Sequence, residues 1–487
     1  MSGYYFLTGA TGLLGNYLLR DLLQAEQPVA VLVRSNRKLT ARQRIENLLA
    51  RWDAESNKPL PRPVILEGDI TLPDLGLDGR DLRWASEYCS AVVHNAASLT
   101  FEATSTQGEP YRSNVQGTQN VLEFARHAAI REFHHVSTAY VAGLRCGKIL
   151  ESEVDVGQSL GNDYEISKLA AEKLVRSADF IETPTIYRPG IIVGDSRTGF
   201  TTTYHGFYAA LQLVHTLAQM HEPDDTGRIC AADVKLNLNG DETKHLVPVD
   251  WVSAAMTHVL LHPEHHGQTY HLTPRQPVTT KVIRDVLEAA VGIYGTQLCG
   301  ADHIPAQDSE AEKLFHEHIR VYNSYWRMDP EFDCSNIERA APHLPCPKVD
   351  FELLVKLSRQ AIAANFPTPS KKPLPLEFDA ESLVQSWTEQ SSPRPGLRLL
   401  GLDVRGPGGG QWQLVVDNGH VVHVETGLHA ERLCVCRTDV ETFARLVQGR
   451  QNWHAALEEG SAKLIGNGLS PREYVALLDQ FVGMTVA

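Results

Sequence analysis

A glycine-rich turn set directly behind the first apolar run constrains this chain more than any other feature. Tyr4–Leu7 is a short apolar segment, and Thr8-Gly9-Ala10-Thr11-Gly12-Leu13-Leu14-Gly15 follows it and opens an amphipathic stretch, Leu13–Gln24. In such a strand–loop–helix, Gly9 permits the tight turn, Gly12 lets backbone approach a pyrophosphate, and Gly15 allows the helix to pack close on the strand. The helix N-terminus then presents unpaired N–H groups to negative phosphates. The spacing predicts a dinucleotide site built from Gly9, Thr11, Gly12, Leu13, Leu14 and Gly15.

The pattern that follows extends this unit into a sheet. Val29–Val33, Val64–Leu66, Ala91–His94, Phe133–Val136 and Thr185–Tyr187 read as further buried strands. Thr40–Arg51, Asn114–Ala128 and Tyr164–Ala178 read as helices between them. This alternation predicts an α/β fold, a Rossmann-type doubly wound parallel sheet with right-handed crossovers. The less regular stretch over roughly 200–345 is expected to be a small substrate-binding lobe. Within it Tyr204–Met220 reads as a helix, either in the core or as the wall of an apolar pocket. His245–Leu261 reads as a strand end running into a helix, and 350–365 as helical.

A chain of 487 residues is too long for one compact unit. Its composition changes at Pro367–Phe378, where four prolines predict a stiff, exposed linker between 1–366 and 379–487. Past it, a helix at Asp379–Glu389 is expected, then four strands (397–404, 411–418, 420–427, 432–439). Turns at GPGGG and Asp417-Asn418-Gly419 separate the strands, and helices at Val440–Gln448, Trp453–Glu459 and Pro471–Val482 follow. That order is α+β.

Charge narrows the partners. The formal net charge is −14, so the chain gains nothing from a nucleic-acid backbone or an anionic membrane surface. The eight cysteines are scattered, with no CxxC pair, so neither a zinc site nor a disulfide framework is expected. Cys434 and Cys436 would share one face of a strand and pack there. The opening MSGYYFLTGATG is unlike a signal peptide, and no window reaches the roughly 20 apolar residues of a membrane span. A cytoplasmic location is the expectation.

Three further stretches point to the cofactor. The second strand ends at Arg34; an acid there suits a free ribose 2′-hydroxyl, whereas an arginine suits a 2′-phosphate, so NADPH is expected. Arg37 and Lys38 could add charge. Asp69 and Ile70 follow the third strand and could border the adenine, and the small residues of Asn95-Ala96-Ala97 would let a cofactor cross the sheet edge.

The chemistry is carried by Tyr164-Glu165-Ile166-Ser167-Lys168, with tyrosine and lysine on one helix face. A nearby ammonium favours tyrosinate, so Lys168 should lower the Tyr164 pKa and make it a usable acid or base. Thr138, in preference to its neighbour Ser137, could donate to a developing oxyanion. Trp251, His94, His134, His135 and Asn114 read as packing, core or helix-cap residues.

Taken together, residues 1–300 resemble the extended short-chain dehydrogenases/reductases, with their TGxxGxxG and YxxxK motifs. GDITLPDLGL (Gly68–Leu77), VVHNAASLTF (Val92–Phe101), SNVQGTQNVLEFAR (Ser113–Arg126), HVSTAYVAG (His135–Gly143) and IYRPGIIVGDSRTG (Ile186–Gly199) look like the fatty acyl reductase and thioester reductase branch, the male-sterility-like one. The resemblance implies Thr138, Tyr164 and Lys168 as the catalytic set and Arg34 as an NADPH contact. It places Pro189, Ile191 and Ile192 near the nicotinamide. It further implies reduction of an acyl thioester, on CoA or an acyl-carrier protein, to an aldehyde, with a second cycle able to give the alcohol. The same catalytic set would serve a dehydrogenase, ketoreductase or epimerase acting on a steroid-like or other lipophilic alcohol. A lipid-binding protein with a cofactor-sensing Rossmann unit is the reading from another class.

Residues 379–487 resemble the sterol carrier protein 2-like fold through Gln411–Gly427 and Leu433–Gly468. That resemblance implies a module holding a lipid, and hence a lipophilic acyl group, whose buried methylenes would each contribute ~0.8 kcal/mol.

Overall fold

The computed structural model describes residues 3–56, 58–232, 234–300, 325–366, 378–387, 398–417, 420–430, 433–466 and 471–479. Most of the expected linker at Pro367–Phe378 and the Asn418-Gly419 turn lie outside the described residues.

Seven parallel strands form the first sheet: β1 (Tyr4–Thr8), β2 (Val29–Val33), β3 (Val64–Glu67), β4 (Cys89–His94), β5 (Glu132–Val136), β6 (Thr185–Pro189) and β7 (Thr269–Leu272), in the order β7-β6-β5-β4-β1-β2-β3. β1 lies between β2 and β4, so the strand order reverses there and a crevice opens at the carboxyl ends on either side of it. Strands buried on both faces read as mostly apolar runs, which made six of the seven legible. The seventh, β7, has the sequence TYHL and was not among the expected strands. Its polar residues are buried by partners from elsewhere: Asn336 Nδ2 and Arg176 bond to Thr269, and His271 Nδ1 pairs with Asp333 O.

Helices cover both faces: α1 (Leu13–Gln24), α2 (Ala41–Glu55), α3 (Gly79–Tyr88), α4 (Gly117–His127) and α5 (Asp163–Arg176). Their starts follow local capping chemistry. Thr40 and Gln43 form a reciprocal capping box at α2, and Asn162 accepts from Glu165 N at α5. The expected helix from Asn114 is instead a π-helical turn, Arg112–Gln116, leading into α4.

In the lobe, α6 (Phe207–Ala218), α8 (Thr280–Val291) and the helix Phe351–Ala363 share an apolar core. α6 turns out to be both a core helix and a pocket wall. Tyr208 and Leu211 are buried, with the Tyr208 hydroxyl accepting from Gly194 N at 3.0 Å, while Phe207 and Ala210 face a cavity. α7 (Val249–Leu261) packs against α1.

The C-terminal residues form a second sheet of β8 (Arg398–Arg405), β9 (Gly410–Asp417), β10 (His420–Thr426), β11 (Cys434–Asp439) and β12 (Ala462–Ile465), in the order β10-β9-β8-β11-β12. β8 and β11 pair in parallel and the other neighbours antiparallel. The helix Trp453–Glu459 has the expected bounds, and Cys434 and Cys436 are both buried on one face.

This second unit docks on the first. Trp84 Nε1 donates to Thr426 O at 2.8 Å, the Tyr88 hydroxyl to Glu425 at 2.8 Å, and Leu428 N to the Tyr4 hydroxyl oxygen at 2.7 Å. Arg405 and Arg437 bridge Glu26 and Asp403. Gly427 has φ +92°, and a Cβ there would lie 2.6 Å from the Tyr4 hydroxyl oxygen, so only glycine lets the two surfaces meet.

Candidate active site

The crevice holds a cavity of about 540 Å³ running from the glycine loop to the lobe. Gly9, at φ +72°, could not carry a Cβ, which would lie 2.7 Å from Ala96 N. The Thr8 hydroxyl holds the facing loop by accepting from Asn95 N and Ala96 N, each at 3.1 Å, and Asn95 Nδ2 donates to Gly9 O. Gly12 caps α1 with no side-chain acceptor, so the first-turn N–H groups stay available to an anion.

Gly9, Thr11, Gly12, Leu13 and Leu14 all line the cavity. Gly15 does not; its Cβ would meet Gly9 O at 2.1 Å, so its part is the close packing of helix on loop. Asp69 and Ile70 line the side beyond β3, and Asn95, Ala96 and Ala97 the edge beyond β4.

Arg34 stands at the end of β2 with a largely exposed side chain, 3.2 Å from Asp69 Oδ2. Arg37 and Lys38 do not line the cavity; the second cation is Arg44, from the first turns of α2. It donates to the Arg34 carbonyl at 2.6 Å and to the Thr11 hydroxyl at 2.9 Å. Burial and the neighbouring Arg34 both lower Arg44. Two guanidinium groups lining one end of the cavity favour an anion there.

At the other end, Thr138, Tyr164 and Lys168 converge with Pro189, Ile191 and Ile192. Lys168 is buried and donates from Nζ to Val136 O at 2.6 Å; burial lowers its ammonium to about 8. Asn114 braces α5 by donating to Ser167 Oγ at 2.9 Å and to Ser98 O, the structural part expected of it. Ser137 spends its hydroxyl on Glu172 at 2.7 Å, which leaves Thr138, within hydrogen-bonding reach of Tyr164, as the hydroxyl facing the cavity.

One expectation needs correction. Tyr164 is not depressed by Lys168. Burial pushes the phenol up to about 12, with Thr138 pulling weakly the other way. Desolvation outweighs a lysine whose ammonium is turned to the β5 carbonyl. In this state Tyr164 holds its proton.

The sequence reading missed the substrate side. Tyr140, His205, Lys244, Tyr325 and Trp326 also line the cavity. Asp329 orders two of them, accepting from the Tyr140 hydroxyl and from Lys244 Nζ, each at 2.7 Å. Phe101 packs on both Tyr164 and Tyr325, with ring centroids 5.5 and 5.7 Å apart. Adjacent tyrosine and tryptophan in a polar stretch were the one available signal. Trp251, by contrast, packs and donates to Leu344 O. Among the described residues, no helix is long and apolar enough to cross a membrane.

A reversed-order parallel sheet with an uncapped helix over a glycine loop, and a Tyr-Lys pair beyond it, defines a Rossmann-type, nicotinamide-dependent oxidoreductase. The family model described as male sterility protein, an NAD-binding domain, matches residues 7–256, and the chain belongs to that family. A nonribosomal peptide synthetase of Aspergillus flavus, asaC, is 28% identical over 56% of this chain and 26% of its own length. An aldehyde reductase of the same organism, lnbA, is 27% identical over 56% of this chain and 27% of its own length. The chain thus spans about a quarter of the length of these relatives. Among solved structures, the terminal R domain from the myxalamid PKS-NRPS pathway is 28% identical, with a TM-score of 0.60, over 76% of this chain and 93% of that domain. The reductase (R) domain of a Mycobacterium tuberculosis nonribosomal peptide synthetase shares the fold at 20% identity, with a TM-score of 0.53, over 75% of this chain and 92% of that one.

Proposed function

We propose that the chain reduces a lipophilic acyl thioester, carried on an acyl-carrier protein or CoA, to an aldehyde, with NADPH as reductant. The observation that carries this reading is the convergence of Thr138, Tyr164 and Lys168 beside Pro189 and Ile192 in one cavity, in a chain 28% identical to a terminal R domain.

The residues present fit the cofactor. The uncapped α1 N-terminus and the glycine cradle suit a pyrophosphate, and Arg34 with Arg44 suit a 2′-phosphate. When bound, the nicotinamide supplies hydride to the thioester carbonyl carbon. Thr138 and the Tyr164 hydroxyl hold the carbonyl oxygen, and Tyr164 donates the proton that completes a hemithioacetal. Lys168, tied to the Val136 carbonyl, holds α5 and with it Tyr164 against the end of β5. Collapse of the hemithioacetal breaks the C–S bond and releases thiol and aldehyde; a second cycle would give the alcohol. Phe207, Ala210 and Ile283 offer the acyl chain an apolar wall.

We read 1–366 as the reductase unit and 379–487 as a sterol carrier protein 2-like module. Its 3-2-1-4-5 strand order with one parallel pair supports that reading. The lining residues of the reaction cavity all lie at or before Trp326, so the module would hold a lipid of its own. Following NADPH absorbance with acyl-CoA and acyl-carrier thioesters, and NADP⁺ with sterols and long-chain alcohols, tests the function. Thioester-dependent oxidation with aldehyde release supports it; sterol-dependent reduction of NADP⁺ would assign the chain to alcohol chemistry instead.

A further inference from the structure

At the far end of β5 from the cavity, three metal-ligating side chains meet. Glu132 and His134 sit two apart on β5, on one face of the strand. His266 follows the short turn Pro263–His265 that leads towards β7. The Glu132 Oε1 atom lies 3.0 Å from His134 Nε2 and 3.8 Å from His266 Nδ1, and the three ligand atoms all fall within 4.8 Å of one another.

The tautomers decide what this cluster can hold. His266 Nε2 faces two backbone carbonyls at the end of α7, Val259 O at 3.0 Å and Leu260 O at 3.3 Å. Carbonyls only accept, so Nε2 carries the hydrogen and Nδ1 turns a lone pair towards the Glu132 carboxylate. A cation satisfies both acceptors, whether a proton on Nδ1 or a metal ion held between them. His134 Nδ1 lies 3.1 Å from the buried Tyr187 hydroxyl, which orients the ring; the Nε2 atom faces Glu132, donating to it when Nε2 carries the hydrogen and offering a lone pair when Nδ1 does. Each imidazole therefore has an outer partner fixing its orientation, as metal-ligating histidines do.

The spacing fits too. Zinc–nitrogen and zinc–oxygen bonds of about 2.0–2.2 Å in a tetrahedron set neighbouring ligand atoms about 3.3 Å apart, and the two distances to Glu132 bracket that value. The Glu132 and His266 side chains are 39% and 18% exposed, so solvent water can complete the coordination. The absence of CxxC pairs excludes only a thiolate-type site.

We infer that Glu132, His134 and His266 form a binding site for a divalent transition ion, with zinc the best match to two imidazoles and a carboxylate. Thr138 lies two residues past the end of β5 and six beyond Glu132, about 20 Å at the strand rise, so the ion takes no part in the reaction. It clips β5 to the connection between α7 and β7 and thereby fixes the edge strand β7.

The test uses the full chain, stripped with a chelator and titrated with Zn²⁺ by calorimetry and with Co²⁺ by visible absorption. One zinc per chain, a tetrahedral cobalt spectrum and a raised Tm are expected. Glu132→Gln and His266→Ala should each weaken binding by roughly tenfold or more, with far-ultraviolet circular dichroism reporting that they fold. A second histidine group lies close by, with the His258 ring 4.1 Å from that of His262 and 4.7 Å from that of His343, so His262→Ala is the control and should leave binding intact. Wild-type protein that binds neither ion overturns the inference, and so does binding that survives both ligand substitutions or disappears with His262→Ala.

Discussion

Lys168 donates to the carbonyl oxygen of Val136 at 2.6 Å and so ties α5 to the carboxyl end of β5, directly under the reaction cavity. Buried there, its ammonium is lowered to about 8. The charged form prevails below that value and is lost as pH rises through it. If the ammonium stabilises tyrosinate, kcat falls above about pH 8. A log kcat profile that stays level through this region would remove Lys168 from proton handling.

Tyr164, raised to about 12 by burial, is protonated at any working pH and is poised to donate. Tyr164→Phe should lower kcat by roughly 10²–10⁴-fold with nucleotide affinity unchanged. Stopped-flow nucleotide binding alongside steady-state turnover separates the two effects.

Arg44 joins Arg34 and Thr11 through 2.6 and 2.9 Å contacts. Arg44→Ala should reduce kcat/KM for NADPH by roughly 10–100-fold, the worth of one or two charge-assisted hydrogen bonds, and leave NADH nearly unaffected. Equal losses with both nucleotides would place Arg44 in packing rather than in 2′-phosphate recognition.

Ala210 is buried on the cavity wall beside Phe207. With an acyl chain against this wall, each added methylene should raise kcat/KM by about fourfold until the cavity is full, at ~0.8 kcal/mol each. Ala210→Phe should shorten the preferred chain. A length preference that ignores the substitution would move the acyl site elsewhere.

Gly427 meets the Tyr4 hydroxyl at φ +92°. Gly427→Ala should destabilise the docked state by about 1–3 kcal/mol from backbone strain alone. Earlier thermal unfolding and faster proteolysis between the two sheets are the expected signs.

Much of the fold was legible because its signals are local. Six strands are short, mostly apolar runs, the glycine loop is contiguous, and Tyr164 and Lys168 lie one helical turn apart. β7 was not legible, because Thr269 and His271 become buried only when Asn336, Arg176 and the Asp333 backbone, each far away in the chain, satisfy them. Four of the second unit's five strands were legible for the same local reason, but β12 (Ala462–Ile465) and the unit's docking on Tyr4, Trp84 and Tyr88 were not.

The sequence by itself determined the backbone grammar of this protein: a strand, a glycine turn and an uncapped helix at the start, then a Tyr-Lys face near residue 165. Periodicity and glycine spacing dictate those without reference to the rest of the chain. Only the tertiary structure decided which distant groups join them. Arg44 displaced Arg37 and Lys38, Ser137 was claimed by Glu172 and left Thr138 to the cavity, Tyr325 and Trp326 closed the substrate side, and His266 came to Glu132 and His134. It also set the direction of proton affinity, raising Tyr164 where the motif alone suggested lowering it. Desolvation depends on every atom packed around a group, and no short stretch of sequence carries that information.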